Sequence, residues 1–358
     1  MKYVVEFRDK RLVQILIRKI HSISTKQITL MEVCGGHTMS IHKFGIPSLL
    51  PETVKLVSGP GCPVCVTDRR YIDHAIALSR LDDVIVTTYG DLIRVPGSSS
   101  SLEREKASGA DIRVVYSTID AIRIAKNNPD KEVVFLGIGF ETTTPSSALA
   151  IIDAKKNMLL NFSVLSAHKI MPPAMSALID EGVKIDAYIG PGHVSAVAGS
   201  DMYKELSEKY KLSVVISGFE PVDILQAIYM LIEQIESDKP KVDIQYTRVV
   251  KPEGNLLARE IVNDIFELRN DWWRGLGVIP DSGLAIKEKY KDFDAEKKFD
   301  VEVETTKEPK GCICGDILKG LSKPTECKLF RDVCTPSNPI GACMVSSEGA
   351  CHAFYKYH

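Results

Sequence analysis

Long apolar runs are missing from this chain. The N-terminal stretch MKYVVEFRDKRLVQILIRKI alternates charged and apolar residues and never sustains what a signal peptide or spanning helix requires. The expected location is therefore the cytoplasm, with no membrane partner. A charge excess is missing too: 45 basic against 47 acidic residues leave a formal charge of -2, which offers no general attraction for nucleic acid or anionic lipid. Nucleic acid is not expected as a partner. Neither the P-loop spacing nor GxGxxG occurs, and there is no Ser-His-Asp set and no HExxH. Cysteine is absent from the whole span between Cys65 and Cys312, although the chain has nine. In a reducing compartment these are not read as structural disulfides. They form two groups with separate tasks, Cys34, Cys62 and Cys65 early and Cys312, Cys314, Cys327, Cys334, Cys343 and Cys351 late.

What is present is the composition of a folded protein, 44% hydrophobic and 26% charged, in a chain of 358 residues that should divide into two or three compact units. From about residue 54 to 235, short β-branched runs alternate with amphipathic stretches. The runs VKLV, VIVTT, RVVY, VVFLG, AYIG and VVISG read as strands covered on both faces. The fold class expected is α/β, with two Rossmann-like parallel-sheet domains facing a cleft and a C-terminal cysteine-rich domain. The expected segments are 1–120, carrying CGGHT and GPGCPVC; 121–238, carrying GFETT and GPGHV; and 239–358, a helical linker and the cysteine-rich tail. GPGCPVC echoes GPGHVSAV, and GFETTTP echoes GFEPVD, which leaves duplication of an α/β half open. Trp272 and Trp273 are expected to anchor a docking surface.

The tail, from CICGDILKG to GACHAFYKY, places six thiols among Pro and Gly turns. Iron-sulfur centres need four thiolates converging from loops, whereas structural zinc commonly takes two CxxC pairs, and this tail has none. Spacing does not fix which four bind, and the two remaining thiols suit a redox pair beside the cluster. Upstream, Cys62 and Cys65 form a CxxC pair in a turn after a strand, placed to cycle between dithiol and disulfide or to hold a metal with further ligands. The bland alternative is two cysteines packed in a turn. Cys34 precedes two glycines and His37, so its sulfur can be approached closely, with His37 as a second ligand or a base; His42 reads as a surface or capping residue. GIGFETTTP and GPGHVSAV also follow strands, and the carboxyl ends of parallel strands line a ligand crevice. Glu141, Thr142 and His193 are thus expected to face the same cleft as Cys62, while Thr143 reads better as the cap of the following helix.

In order along the chain, CGGHT from Cys34, GPGCPVC from Gly59, GFETT from Gly139, GPGHV from Gly190 and PIGACMVSSEGAC resemble the HypD family of hydrogenase maturation proteins. The resemblance covers nearly the whole chain. It implies a scaffold on which a mononuclear iron acquires the cyanide and carbon monoxide of the Fe(CN)2CO moiety of nickel-iron hydrogenase. Cys34 would hold that iron together with a cysteine of the HypC chaperone, HypE would donate cyanide, and the hydrogenase large-subunit precursor would receive the product indirectly. The family is also likened to ferredoxin:thioredoxin reductase. By that analogy Cys312, Cys327, Cys334 and Cys351 would hold a 4Fe-4S cluster beside a Cys314 and Cys343 pair; the rival set has Cys343 as ligand and Cys312 outside. The alternative function is an iron-sulfur-dependent reductase of another protein's disulfide through Cys62 and Cys65.

Overall fold

The strands of the two parallel sheets form mostly where short runs of β-branched and apolar residues are covered on both faces, and several helices begin where a side chain accepts the first free amides. The computed structural model describes residues 5–358; residues 1–4 of the N-terminal stretch lie outside it. In chain order the strands are β1 Ile28–Glu32, β2 Val54–Ser58, β3 Val84–Thr88, β4 Ile112–Val114, β5 Glu132–Gly139 and β6 Phe162–His168. They continue with β7 Ala187–Pro191, β8 Ser213–Ser217, β9 Val242–Ile244, β10 Phe266–Trp273 and β11 Gly277–Ile286. Helix starts follow the capping rule: Asp68 accepts from Arg70 N before Arg69–Ser79, and Ser117 and Asp120 form a capping box before Thr118–Asn127. Each such cap is worth about 1 kcal/mol.

Two parallel sheets result, one ordered β2-β1-β7-β8-β9 and the other β4-β3-β5-β6, with β10 and β11 as a separate antiparallel hairpin. The α/β class with two parallel sheets is as read from the sequence. The contiguous segments 1–120 and 121–238 do not coincide with the sheets, however. The chain leaves the first sheet after β2, builds the whole second sheet with β3 to β6, and returns to pair β7 with β1, Leu30 opposite Ala187. The 239–358 segment is not purely a helical linker either, because Leu256–Ile265 leads directly into the hairpin.

One face of each sheet contributes to a shared core. Met31, Tyr188 and Ile216 from the first sheet join Val86, Val134 and Leu136 from the second in one apolar cluster that also contains Cys314, Ile317, Cys343 and Met344 of the tail. The outer faces are closed separately, the second sheet by Ile151, Phe266 and Leu284 among others, the first by Leu225, Ile228 and Leu231. Trp273, expected at a docking surface, is instead fully buried, stacked on Phe140 at 5.9 Å with its Nε1 donating to Ser282 Oγ. No described helix is long and apolar enough to cross a membrane.

Candidate functional site

The carboxyl ends of the first sheet carry the upstream motifs. β1 ends in Glu32, and two residues later Cys34 occupies the N-cap of the helix Gly35–Lys43, where helix amides face its sulfur. The turn after β2 packs onto this same backbone: Gly35 N donates to Gly61 O at 2.9 Å, and a Cβ on Gly61 would strike the main chain of Val33 and Cys34. Only glycine permits that approach. Cys62, the next residue, caps the short helix Pro63–Val66 and is disulfide-bonded to Cys65, both buried. The structure therefore brings Cys34 and the CxxC pair into adjoining turns.

Cys34 is 9% exposed. Burial pushes its thiol up to about 12, with the Glu348 and Glu32 carboxyls adding to the rise and the amides of His37 and Gly36 opposing it. Glu32 accepts from Cys34 N at 3.0 Å and from Thr38 Oγ1 at 2.5 Å, and burial raises its own carboxyl to about 8. Glu348 reaches in from the tail, where it occupies the space a side chain on Gly35 would need. His37 is held neutral: burial lowers it to about 4, Nε2 donates to the carbonyls of Ser217 and Gly218 at 3.2 and 3.0 Å, and Nδ1 is buried without a partner.

Phe219 joins the histidines, stacking on His37 at 4.6 Å and on the exposed His193 at 3.9 Å. Tyr203 is buried within electrostatic reach of both Glu141 and Cys34, with Ser195 Oγ 3.4 Å from its hydroxyl. Glu141 accepts from Met171 N through Oε1, leaves Oε2 buried and unpartnered, and is raised to about 7 by burial. Cys34, His37, His193 and Glu141 are thus tied together through Phe219 and Tyr203. Thr142 is exposed, with no side-chain hydrogen bond among the described residues. Thr143 takes the N-cap position but makes no capping bond, and its hydroxyl turns back to the carbonyls of Ile138 and Phe140. His42, read as a surface residue, is buried against Phe354 and bonds His358 at 3.0 Å.

In the tail, Cys312, Cys314, Cys327, Cys334 and Cys351 line one small cavity with Ile317, Leu329, Phe330 and Met344. Cys343 is fully buried and is not part of that lining; its thiol is pushed well above the ordinary range by neighbouring Cys314 and by burial. The neighbouring thiols of Cys312, Cys343 and Cys351 draw Cys314 well below the ordinary thiol range and are themselves pushed up. The short helix holding Cys343 packs against the helix holding Cys65. Arg274, 5% exposed, spans the same seam: Nε donates to Cys65 O at 3.0 Å and Nη2 to Thr67 O at 2.8 Å, and its charge also favours thiolate at Cys314.

Among the described residues no group of three or more His, Cys, Asp or Glu is set around a single ion. A multi-iron centre asks for something else, thiols spaced around a larger body in apolar surroundings with amides facing sulfur. The cavity fits that chemistry. Its donors are all thiols, Ile340 N donates to Cys334 Sγ at 3.3 Å, and Gly341 leaves open a place where a Cβ would stand 2.8 and 3.0 Å from the sulfurs of Cys312 and Cys314.

Sequence reading missed Glu32, Ser195, Tyr203, Phe219, Arg274 and Glu348. Of these, Phe219 lies in the GFEPVD echo, Ser195 in GPGHVSAV and Glu348 in PIGACMVSSEGAC, whereas Glu32, Tyr203 and Arg274 lie outside the motifs quoted above. The HypD family model, described as "Hydrogenase formation hypA family", matches residues 11–358. The chain is 50% identical over 368 residues to the hydrogenase maturation factor HypD2 of Bradyrhizobium diazoefficiens, covering 100% of this chain and 97% of that protein. It is 48% identical over 368 residues to the hydrogenase maturation factor HypD of Cupriavidus necator and 48% over 367 residues to that of Azotobacter vinelandii, with the same coverage in both cases.

Proposed function

The chain belongs to the HypD family of hydrogenase maturation factors, and from that premise we propose that it is a cytoplasmic scaffold for assembling the Fe(CN)2CO moiety of nickel-iron hydrogenase. It works with a HypC-type chaperone, receives cyanide from a HypE-type donor and serves the large-subunit precursor indirectly. The observation that carries this reading is the adjacency of three thiol stations: Cys34, the Cys62–Cys65 turn packed on it through Gly61, and the tail thiols reached through Cys343 and Arg274.

The cargo is the mononuclear iron. Cys34 binds it as thiolate, a soft ligand suited to iron that must accept cyanide and carbonyl. Because burial keeps the free thiol protonated, binding displaces one proton. His37, neutral with a free Nδ1, supplies a base or second ligand on the same side of the turn. A 4Fe-4S cluster held by Cys312, Cys327, Cys334 and Cys351 would supply single electrons when bound. All four line the cavity and Cys343 does not, which supports this set over the one that exchanges Cys343 for Cys312. Cys314 and Cys343, in sulfur contact, form the adjacent pair. Cys62–Cys65 takes up two electrons and two protons to become a dithiol and returns them on reoxidation, directly beside Cys34. Thr142 and His193 stand at the exposed rim, where the chaperone's iron-bearing segment would arrive.

A free-standing reductase of another protein's disulfide would need an accessible attacking thiol, and Cys62 and Cys65 are 3% and 0% exposed. The scaffold reading is tested by purifying wild type and Cys34→Ala with the chaperone and recording iron content and infrared cyanide and carbonyl bands. The bands should vanish in the variant; bands of unchanged intensity would refute the assignment of Cys34.

A further inference from the structure

A cavity of about 390 Å³ lies outside every residue group assigned above. Its walls carry Arg69, Arg94, Arg104 and Lys307 against Glu103 and Glu308. Four cations thus face two carboxylates, and Glu308 is already paired with Arg274 at 3.3 Å. Arg69 is only 4% exposed; Nη1 donates to Lys307 O at 2.8 Å and Nη2 to Ile340 O at 3.5 Å, and Nε remains buried without a partner. Arg94 donates Nη1 to Pro336 O, while the side chains of Arg104 and Lys307 engage no other group among the described residues.

The rest of the wall includes the run of four serines 98–101, with Gly97, Asn338 and Pro339 among its other residues. Asp73, buried beneath it, fixes this loop: it accepts from Ser98 N at 2.6 Å, Ser98 Oγ at 2.7 Å and Thr306 Oγ1 at 3.2 Å, and Lys307 N donates to Ser98 Oγ at 2.9 Å. The amides of Ser99 and Ser100 donate to no acceptor among the described residues. The Ser98 and Ser99 hydroxyls are committed to Asp73 and Glu304, so the wall offers guanidinium, ammonium and free amide donors with positive charge in excess, the chemistry that recognises a tetrahedral oxyanion.

We propose that this cavity binds a phosphate group, presented either as free phosphate or as the phosphate end of a small organic molecule. Arg69 and Arg94 supply fixed N–H donors from the floor, and Arg104 and Lys307 close over the anion from the rim. The volume leaves room beyond one phosphate for an organic remainder.

The test is isothermal titration of the full-length protein, purified anaerobically in phosphate-free buffer, with inorganic phosphate and with ribose 5-phosphate. Arg104→Gln and Lys307→Gln are the deciding variants, because neither side chain supports any other part of the fold. Saturable binding in wild type, weakened about tenfold in each variant as loss of a charge-assisted bond requires, supports the site. Tighter binding of ribose 5-phosphate than of phosphate would assign an organic phosphate as ligand, and equal binding would assign the free ion. Absence of saturable binding for both probes, or wild-type affinity in both variants, would overturn the proposal.

Discussion

Cys34 sits at the end of a parallel strand with the carboxyls of Glu32 and Glu348 beside it, whereas Cys314 sits among short helices and turns with three other thiols and the Arg274 guanidinium around it. The first environment is buried and lined by carboxyls that burial raises, so a free thiolate there is disfavoured. The second is apolar with added positive charge from Arg274, which favours the thiolate form of Cys314. Backbone architecture follows the same division. The upstream thiols are placed by the regular sheet and by a glycine contact, and the tail thiols converge from turns that can open around a bulky group. On the proposed function, the first would serve a single transient cation and the second a resident multi-atom centre.

The sharpest way to break this division is to remove the residue at its seam. Arg274→Ala leaves the carbonyls of Cys65 and Thr67 buried without donors and should cost about 4 kcal/mol, read as a fall in the denaturation midpoint. Arg274→Lys should recover only part of that loss, since an ammonium cannot reproduce the fork.

Gly61→Ala acts on the upstream station alone. The new methyl collides with the Cys34 backbone, so a loss of about 3 kcal/mol is expected, together with loss of cyanide and carbonyl bands while tail iron is retained. Equal loss of both iron populations would show that the stations are not separable.

A smaller effect comes from pH and sharpens the contrast in charge. Glu32 and Glu141 are raised by burial to about 8 and about 7 from an ordinary 4.5. An acid whose folded value lies above its unfolded one holds its proton more tightly in the fold. Its contribution is full below about pH 4.5 and is lost as pH rises through 7 and 8. Iron-free protein should therefore lose stability between pH 6 and 8.5 in urea titrations, by about 1 kcal/mol or more, and Glu32→Gln should flatten that slope. The smallest effect is at the rim. Thr142→Ala, on an exposed residue with no side-chain bond, should shift stability by less than about 0.5 kcal/mol, so any fall in cargo loading would report on docking and not on folding.

Much of this arrangement was legible in the sequence, for identifiable reasons. VIVTT and VVFLG became β3 and β5 because nearly unbroken apolar runs leave little choice but a strand covered on both sides. β6, FSVLSAH, escaped notice because Ser163, Ser166 and His168 look polar, yet all seven positions are buried; Ser166 Oγ bonds Leu284 O and His168 bonds Ser147, partners that no local pattern announces. The return of β7 to β1 is likewise invisible, since parallel pairing across more than 150 residues leaves no mark in either strand. Thiol motifs stood out by composition. Tyr203 and Arg274 did not, being single residues in ordinary surroundings whose roles exist only once distant segments meet.

The division into two thiol stations is tested most directly by iron and acid-labile sulfide analysis of anaerobically purified wild type, Cys34→Ala and Cys334→Ser. Wild type and Cys34→Ala should both carry about four iron and four sulfide per chain, and Cys334→Ser should lose them. Sulfide missing from wild type, or iron and sulfide retained in Cys334→Ser but lost from Cys34→Ala, would contradict the account.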